Sequence, residues 1–107
     1  MYAIKKLGRA MKKQKETKDG WWRFLELCSH IKTPQDFREF FHLFLTLEEK
    51  EDLAKRYLLV KALLEEKLTQ REIAEKISVS ISKITRGSNV LKTINSNLRE
   101  FLKKHMK

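Results

Sequence analysis

Five helix-start signals fall between residues 33 and 96, and no strand-like alternation of apolar and polar residues separates them. Thr33-Pro34 pairs a capping side chain with a proline suited to a first helical turn, and Asp36 adds an acid at the positive helix end. Thr46-Leu47-Glu48-Glu49 and Thr69-Gln70-Arg71-Glu72 have the spacing of capping boxes. Ser80 and Asn95 are further N-cap candidates. Apolar residues then recur at helical intervals: Phe37, Phe40, Phe41 and Phe44; Leu53, Tyr57, Val60 and Leu64; Leu98, Phe101 and Leu102. One proline and three glycines in 107 residues leave few breaks. The pattern predicts an all-α chain of about six helices with short connections.

Trp21, Trp22, Phe24, Leu25, Leu27 and Cys28 crowd a segment that reads as helical from Gly20 to about His30. Residues 1–19 are Lys-rich and poor in apolar side chains, so they read as a flexible basic arm preceding a helical domain over 20–107. Seven Trp or Phe residues lie between positions 21 and 44. A chain this small has difficulty burying them alone. An interlocked homodimer is the expectation, with a dense monomer core as the alternative.

The formal net charge is +10 and is unevenly spread. Residues 1–19 carry seven Lys or Arg against two acids, 20–66 carry seven against nine, and 67–107 carry ten against three. Basic ends around a mildly acidic middle suit a polyanion such as double-stranded DNA. Lysines that only keep the chain in solution are the alternative. The lone Cys28 excludes an internal disulfide framework and points to a reducing compartment, the cytoplasm. No run is long and apolar enough to span a membrane, and the start lacks the apolar core of a secretory signal. His30, His42 and His105 are scattered, and neither metal-ligand spacing nor a Gly-rich phosphate loop occurs. The expectation is a binding protein without metal or membrane partner, and not an enzyme.

Residues 69–92 carry the most specific pattern. A helix after Thr69 turns Ile73 and Ile77 inward, with the small Ala74 beside them to let a second helix cross closely. Ser78-Val79 makes a turn, and Ser80 caps a helix with Ile84 and Leu91 inward. Ser82, Thr85, Arg86 and Asn89 then face outward, flanked by Ile81 and Lys83. Hydrogen-bonding and basic groups with one exposed apolar residue suit a helix that enters the major groove. Ala74, Ser78 and Ile84 stand at positions 5, 9 and 15 of a helix-turn-helix unit. Position 9 is often glycine, because the turn uses a positive φ. Two ordinary core helices are the alternative.

The segment LTLEEKEDLAKRYLLVKALLEEKLTQREIAEKISVSISKITRGSNVLK, residues 45–92, resembles the tryptophan repressor family, most specifically in QREIAEKISVSISKITRGSN. WWRFLELC and LREFLKK fit that family's first and last helices, so the resemblance covers about residues 20–104. It implies an intertwined all-α homodimer in which L-tryptophan acts as corepressor and sets the spacing of two helix-turn-helix units on operator DNA. By position, Arg56 and Arg86 correspond to the arginines that sandwich the indole ring, Arg86 also meeting the ligand carboxylate. Thr46 corresponds to a hydroxyl from the second subunit near that carboxylate. The Leu43 and Leu45 carbonyls correspond to acceptors for the amino group, and Gly87 to a glycine that leaves room for the ring. Bland roles exist for three of these: a helical pair with Asp52 for Arg56, a phosphate contact for Arg86, and close helix packing for Gly87. Gln70, Arg71, Ile81, Ser82, Lys83, Thr85 and Arg86 are the implied DNA-facing set, with Lys12, Lys13 and Lys15 adding non-specific attraction. Val90 replaces a serine that helps hold the ligand amine. Lys83 and Ala74 replace a threonine and a lysine, so the operator is the chain's own. A related regulator that ignores tryptophan or answers another effector is the alternative reading.

Overall fold

The computed structural model describes the backbone of residues 2–107 and side chains from residue 8 onward. Six helices follow in order: α1 (Tyr2–Ser29), α2 (Pro34–Phe44), α3 (Leu47–Glu65), α4 (Gln70–Ile77), α5 (Ile81–Leu91) and α6 (Ser96–His105). Among the described residues there is no strand. The chain is all-α.

Every expected start is capped by the expected side chain. The Asp36 N–H donates to Thr33 Oγ1 at 3.1 Å, the Lys83 N–H to Ser80 Oγ at 3.3 Å, and the Leu98 N–H to Asn95 Oδ1 at 2.8 Å. Thr46 and Thr69 form full capping boxes with Glu49 and Glu72. Each bond satisfies an amide that the helix leaves without a partner.

The first helix departs from expectation. It begins at Tyr2 rather than Gly20 and runs through the stretch read as an arm. Lys, Gln, Glu, Ala and Met dominate that stretch, and these are good helix formers. Extending an existing helix is far easier than nucleating one, so α1 propagates without an apolar stripe of its own. Residues 8–20 remain exposed along its length.

The contacts divide the chain into two compact units, Met1–Phe44 and Leu45–Lys107. In the first, α1 meets α2 through Phe24, whose ring centroid lies 5.6 Å from that of Phe40 and 5.4 Å from that of Phe44. Phe40 and Phe44 approach to 4.6 Å, and Trp21 stacks on Phe24 at 5.8 Å. Trp22 is 70% exposed.

In the second unit α3, α4 and α5 enclose Leu59, Ile73 and Ile84. Ala62, Leu63, Leu68, Ala74, Ile77 and Val79 pack around them, half-buried. The α3 stripe differs from the one its periodicity suggested. Leu53 and Tyr57 are exposed, Val60 and Leu64 half-buried, and Leu59 is the residue sealed inside. This helix is apolar on more than one face, and the fold uses the Leu59–Ala62–Leu63 face for α4 and α5. Glu66 ends α3 in the left-handed region, at φ 56°. At the far end, Arg99 of α6 donates to the Leu91 carbonyl at the end of α5, and the Tyr57 hydroxyl donates to the Lys107 carbonyl at 3.1 Å.

Candidate DNA and ligand interface

The unit of α4, a short turn and α5 is fixed from beneath. Ile73 and Ile84 are 1% and 0% exposed, so the two helices share one sealed contact. Ser78 takes φ 59° and ψ 49°, the left-handed conformation that glycine adopts most easily. Its N–H and that of Val79 both reach the Ala74 carbonyl, the second at 3.3 Å, which closes α4. Val79 then tucks against the core and Ser80 starts α5.

Inward burial leaves a defined outer face. Gln70 and Arg71 in the first turn of α4 are exposed, as are Ile81, Ser82, Lys83, Thr85, Arg86 and Asn89 on α5. Ile81 is 48% exposed, an apolar side chain held among polar and basic ones. Ser80 Oγ and Ser82 Oγ lie 3.2 Å apart, and Thr85 Oγ1 approaches Gln70 Oε1 at 3.3 Å. The face offers donors, acceptors and the three positive charges of Arg71, Lys83 and Arg86 over a sealed contact. Such a surface fits the edges and phosphates of a duplex.

Gly87 lies where α5 crosses α3. A Cβ added at Gly87 would stand 3.3 Å from Leu59 Cδ2 and 3.7 Å from Leu63 Cδ1. Glycine therefore lets α5 lie close on α3. Arg86 is adjacent to this crossing, and Arg56 precedes Leu59 by three residues, one turn earlier on α3. Both arginines are exposed. Val90 lies one turn beyond Arg86 and is 58% exposed, with no polar side-chain atom.

Thr46 is tied to Glu49 through both its backbone and its side chain. Its Oγ1 accepts from the Glu49 N–H at 3.1 Å, and its own N–H donates to Glu49 Oε1 at 2.9 Å. The hydrogen bonds from the Thr46 backbone and then its side chain hold the Glu49 carboxyl below its ordinary pKa. Leu45, half-buried, begins this unit; Leu43, near the end of α2 in the other unit, is exposed.

Two shallow depressions in Leu45–Lys107 lie elsewhere. One is bounded by Leu58, Ala62, Leu68, Ile77 and nearby lysines, the other by Leu64, Leu102 and Met106; neither includes Arg56, Arg86 or Gly87. Among the described residues no group of three or more His, Cys, Asp or Glu could hold a metal, and no helix is long and apolar enough to cross a membrane. Sequence reasoning missed the Gln70–Thr85 contact, which joins two helices and leaves no periodic trace.

Residues 19–106 match the family described as Trp repressor protein. The chain belongs to the Trp repressor family. It is 60% identical over 90 residues to a Trp operon repressor homolog of Chlamydia caviae, covering 84% of this chain and 89% of that protein. It is 50% identical over 96 residues to a Trp operon repressor homolog of Chlamydia trachomatis serovar D, covering 90% and 100%. A Trp operon repressor homolog of Haemophilus influenzae is 31% identical over 86 residues, 80% of this chain and 85% of that protein. The Trp repressor match contains all the candidate DNA and ligand residues of α2 to α5. Lys12, Lys13 and Lys15, in the first half of α1, lie outside it.

Proposed function

We propose that the chain is a homodimeric transcriptional repressor whose binding to operator DNA depends on L-tryptophan. The observation that carries this reading is the outer face of α4 and α5, polar and basic over the sealed Ile73–Ile84 contact. Membership of the Trp repressor family, and relatives named Trp operon repressor homologs, support this reading. The exposed aromatic residues of Met1–Phe44 support self-association.

In this mechanism α5 is the recognition helix of a helix-turn-helix. Ile81, Ser82, Lys83 and Thr85 face the major groove, while Gln70, Arg71 and Arg86 meet base edges or phosphates. Tryptophan enters beside the α3–α5 crossing. The planar guanidinium groups of Arg56 and Arg86 stack on the indole, and Arg86 forks to the carboxylate. The Thr46 hydroxyl, from the second copy, turns its proton from Glu49 to the same carboxylate, and the Leu43 and Leu45 carbonyls accept from the ammonium. Gly87 allows the ring edge close to α5. The filled crossing sets the tilt of α4 and α5, and two such units then fit successive major grooves, which repeat at about 34 Å along the duplex.

Coupling is the decisive property. Tryptophan and operator must each raise the affinity of the other by one common factor. Calorimetric titration of L-tryptophan into the protein, with and without operator, measures that factor; equal affinities would end the gating proposal and leave DNA binding standing. If a dimer neutralises about eight phosphates, log affinity falls against log salt with a slope near −7.

Val90 favours a second reading, an effector other than tryptophan or none. Its side chain cannot bind an ammonium group. A thermal-shift series with the twenty amino acids and with indole acids lacking the amine separates the two readings, because a ligand selective for the folded state raises apparent stability.

A further inference from the structure

Gln70 and Thr85 stand fifteen residues apart on different helices, yet Thr85 Oγ1 lies 3.3 Å from Gln70 Oε1. The same hydroxyl donates to the Ile81 carbonyl at 3.0 Å. A threonine hydroxyl has one proton and two acceptor lone pairs. The proton cannot serve Gln70 and Ile81 together. If it serves Gln70, the Ile81 oxygen faces Thr85 with no hydrogen between them. If it serves Ile81, the nearer acceptor, a half-turn of the Gln70 carboxamide about its last bond brings an N–H opposite the hydroxyl oxygen. Both contacts are then hydrogen bonds. The half-turn exchanges two atoms of nearly equal size and moves nothing else. This arrangement wins by one hydrogen bond.

A carboxamide fixed in this way has a defined outer edge. One N–H is used by Thr85. The carbonyl oxygen and the second N–H are not used by Thr85, on a residue exposed to solvent. In the major groove adenine offers an amino donor beside the N7 acceptor, which complements that edge. Guanine offers two acceptors there, and one of them would oppose the carbonyl.

We infer that Thr85 is a positioning residue that holds Gln70 with its carbonyl and one N–H outward, and so gives each half-site a preference for adenine at one position. The inference rests on the DNA-binding reading above and adds to it a named residue pair and base. Without the hydroxyl the carboxamide rotates, and either edge faces the base.

The test is selection of sites from a randomised duplex pool, with L-tryptophan present, by the full-length wild type, Thr85→Val, Thr85→Ser, Gln70→Ala and the Thr85→Val/Gln70→Ala pair. Wild type and Thr85→Ser should favour adenine at one position per half-site by on the order of tenfold. Thr85→Val and Gln70→Ala should lose that preference, and the double variant should lose no more than Gln70→Ala alone. Survival of the preference in Thr85→Val overturns the inference. So does a uniform loss at all positions, the mark of a merely structural threonine, or a Gln70→Ala profile unchanged from wild type. A wild type that selects no sequence sinks the DNA-binding reading itself and the inference with it. Proton–nitrogen spectra of the free protein give a readout independent of DNA. The two Gln70 Nε2 protons should be more widely separated in wild type than in Thr85→Val, and equal separation also overturns the bridge.

Discussion

In Leu45–Lys107 three aliphatic side chains, Leu59, Ile73 and Ile84, are sealed from solvent; in Met1–Phe44 none of the described side chains is. The first group locks three helices by interdigitation. The second relies on rings that touch one another while Trp21, Trp22, Leu25, Leu27 and Phe44 stay exposed. Burying one such side chain fully is worth about 1.5–3 kcal/mol. Both units leave large apolar side chains open, among them Leu47, Leu53, Val90 and Phe101 in Leu45–Lys107, but only that unit has a sealed core beneath them. The proposed dimer would supply, through α1 and α2, the core that Met1–Phe44 lacks.

The largest effect should come from the sealed contact. Ile84→Ala removes a fully buried side chain and should cost about 2–5 kcal/mol in urea unfolding. A smaller loss would mean that the α4–α5 contact is looser than its burial implies. Trp22→Ala should cost little in a monomer, since the ring is mostly exposed, and about 2 kcal/mol in a dimer that buries it. Sedimentation equilibrium of both proteins distinguishes the cases: unchanged association would break the assignment of this unit to the interface.

A third substitution sharpens the same contrast. A Cβ at Gly20 meets nothing within 4 Å in the chain itself. Gly20→Ala should therefore stabilise α1 by about 1 kcal/mol through helix propensity. A loss of stability in thermal unfolding would instead mark a second chain packed against that position.

The smallest effect is electrostatic. The Glu49 pKa lies below its ordinary 4.5 in the folded chain, through hydrogen bonds from Thr46. Its contribution is therefore complete above about pH 4.5 and is lost as pH falls through the lowered value. Wild type should lose stability more steeply than Glu49→Gln on acidification from pH 5; parallel curves would remove Glu49 from the account.

Much of this layout was legible in the residues. Thr33, Thr46, Thr69, Ser80 and Asn95 cap helices because a short polar side chain before an apolar run has few other uses, and the inward positions of Ile73, Ile77 and Ile84 follow from spacing alone. The α3 face was not legible, since Leu58, Leu59, Val60, Leu63 and Leu64 surround the helix and periodicity selects no side. The start of α1 was hidden by the absence of an apolar stripe, although its residues favour helix individually. Of the candidate site, the outer face of α5 could be read from its register. The Gln70–Thr85 bridge and the Leu59–Gly87 approach could not, because both depend on how two helices cross.

Glu66 and Ser78 bracket the eight-residue α4, and each bends the chain left-handedly without being glycine. Every such bend costs on the order of 1 kcal/mol against a glycine in the same place. In the folded chain that cost is offset by the seating of α4 on the core, chiefly through Ile73. Glycine at either position would relieve that strain and should raise the stability of the unit.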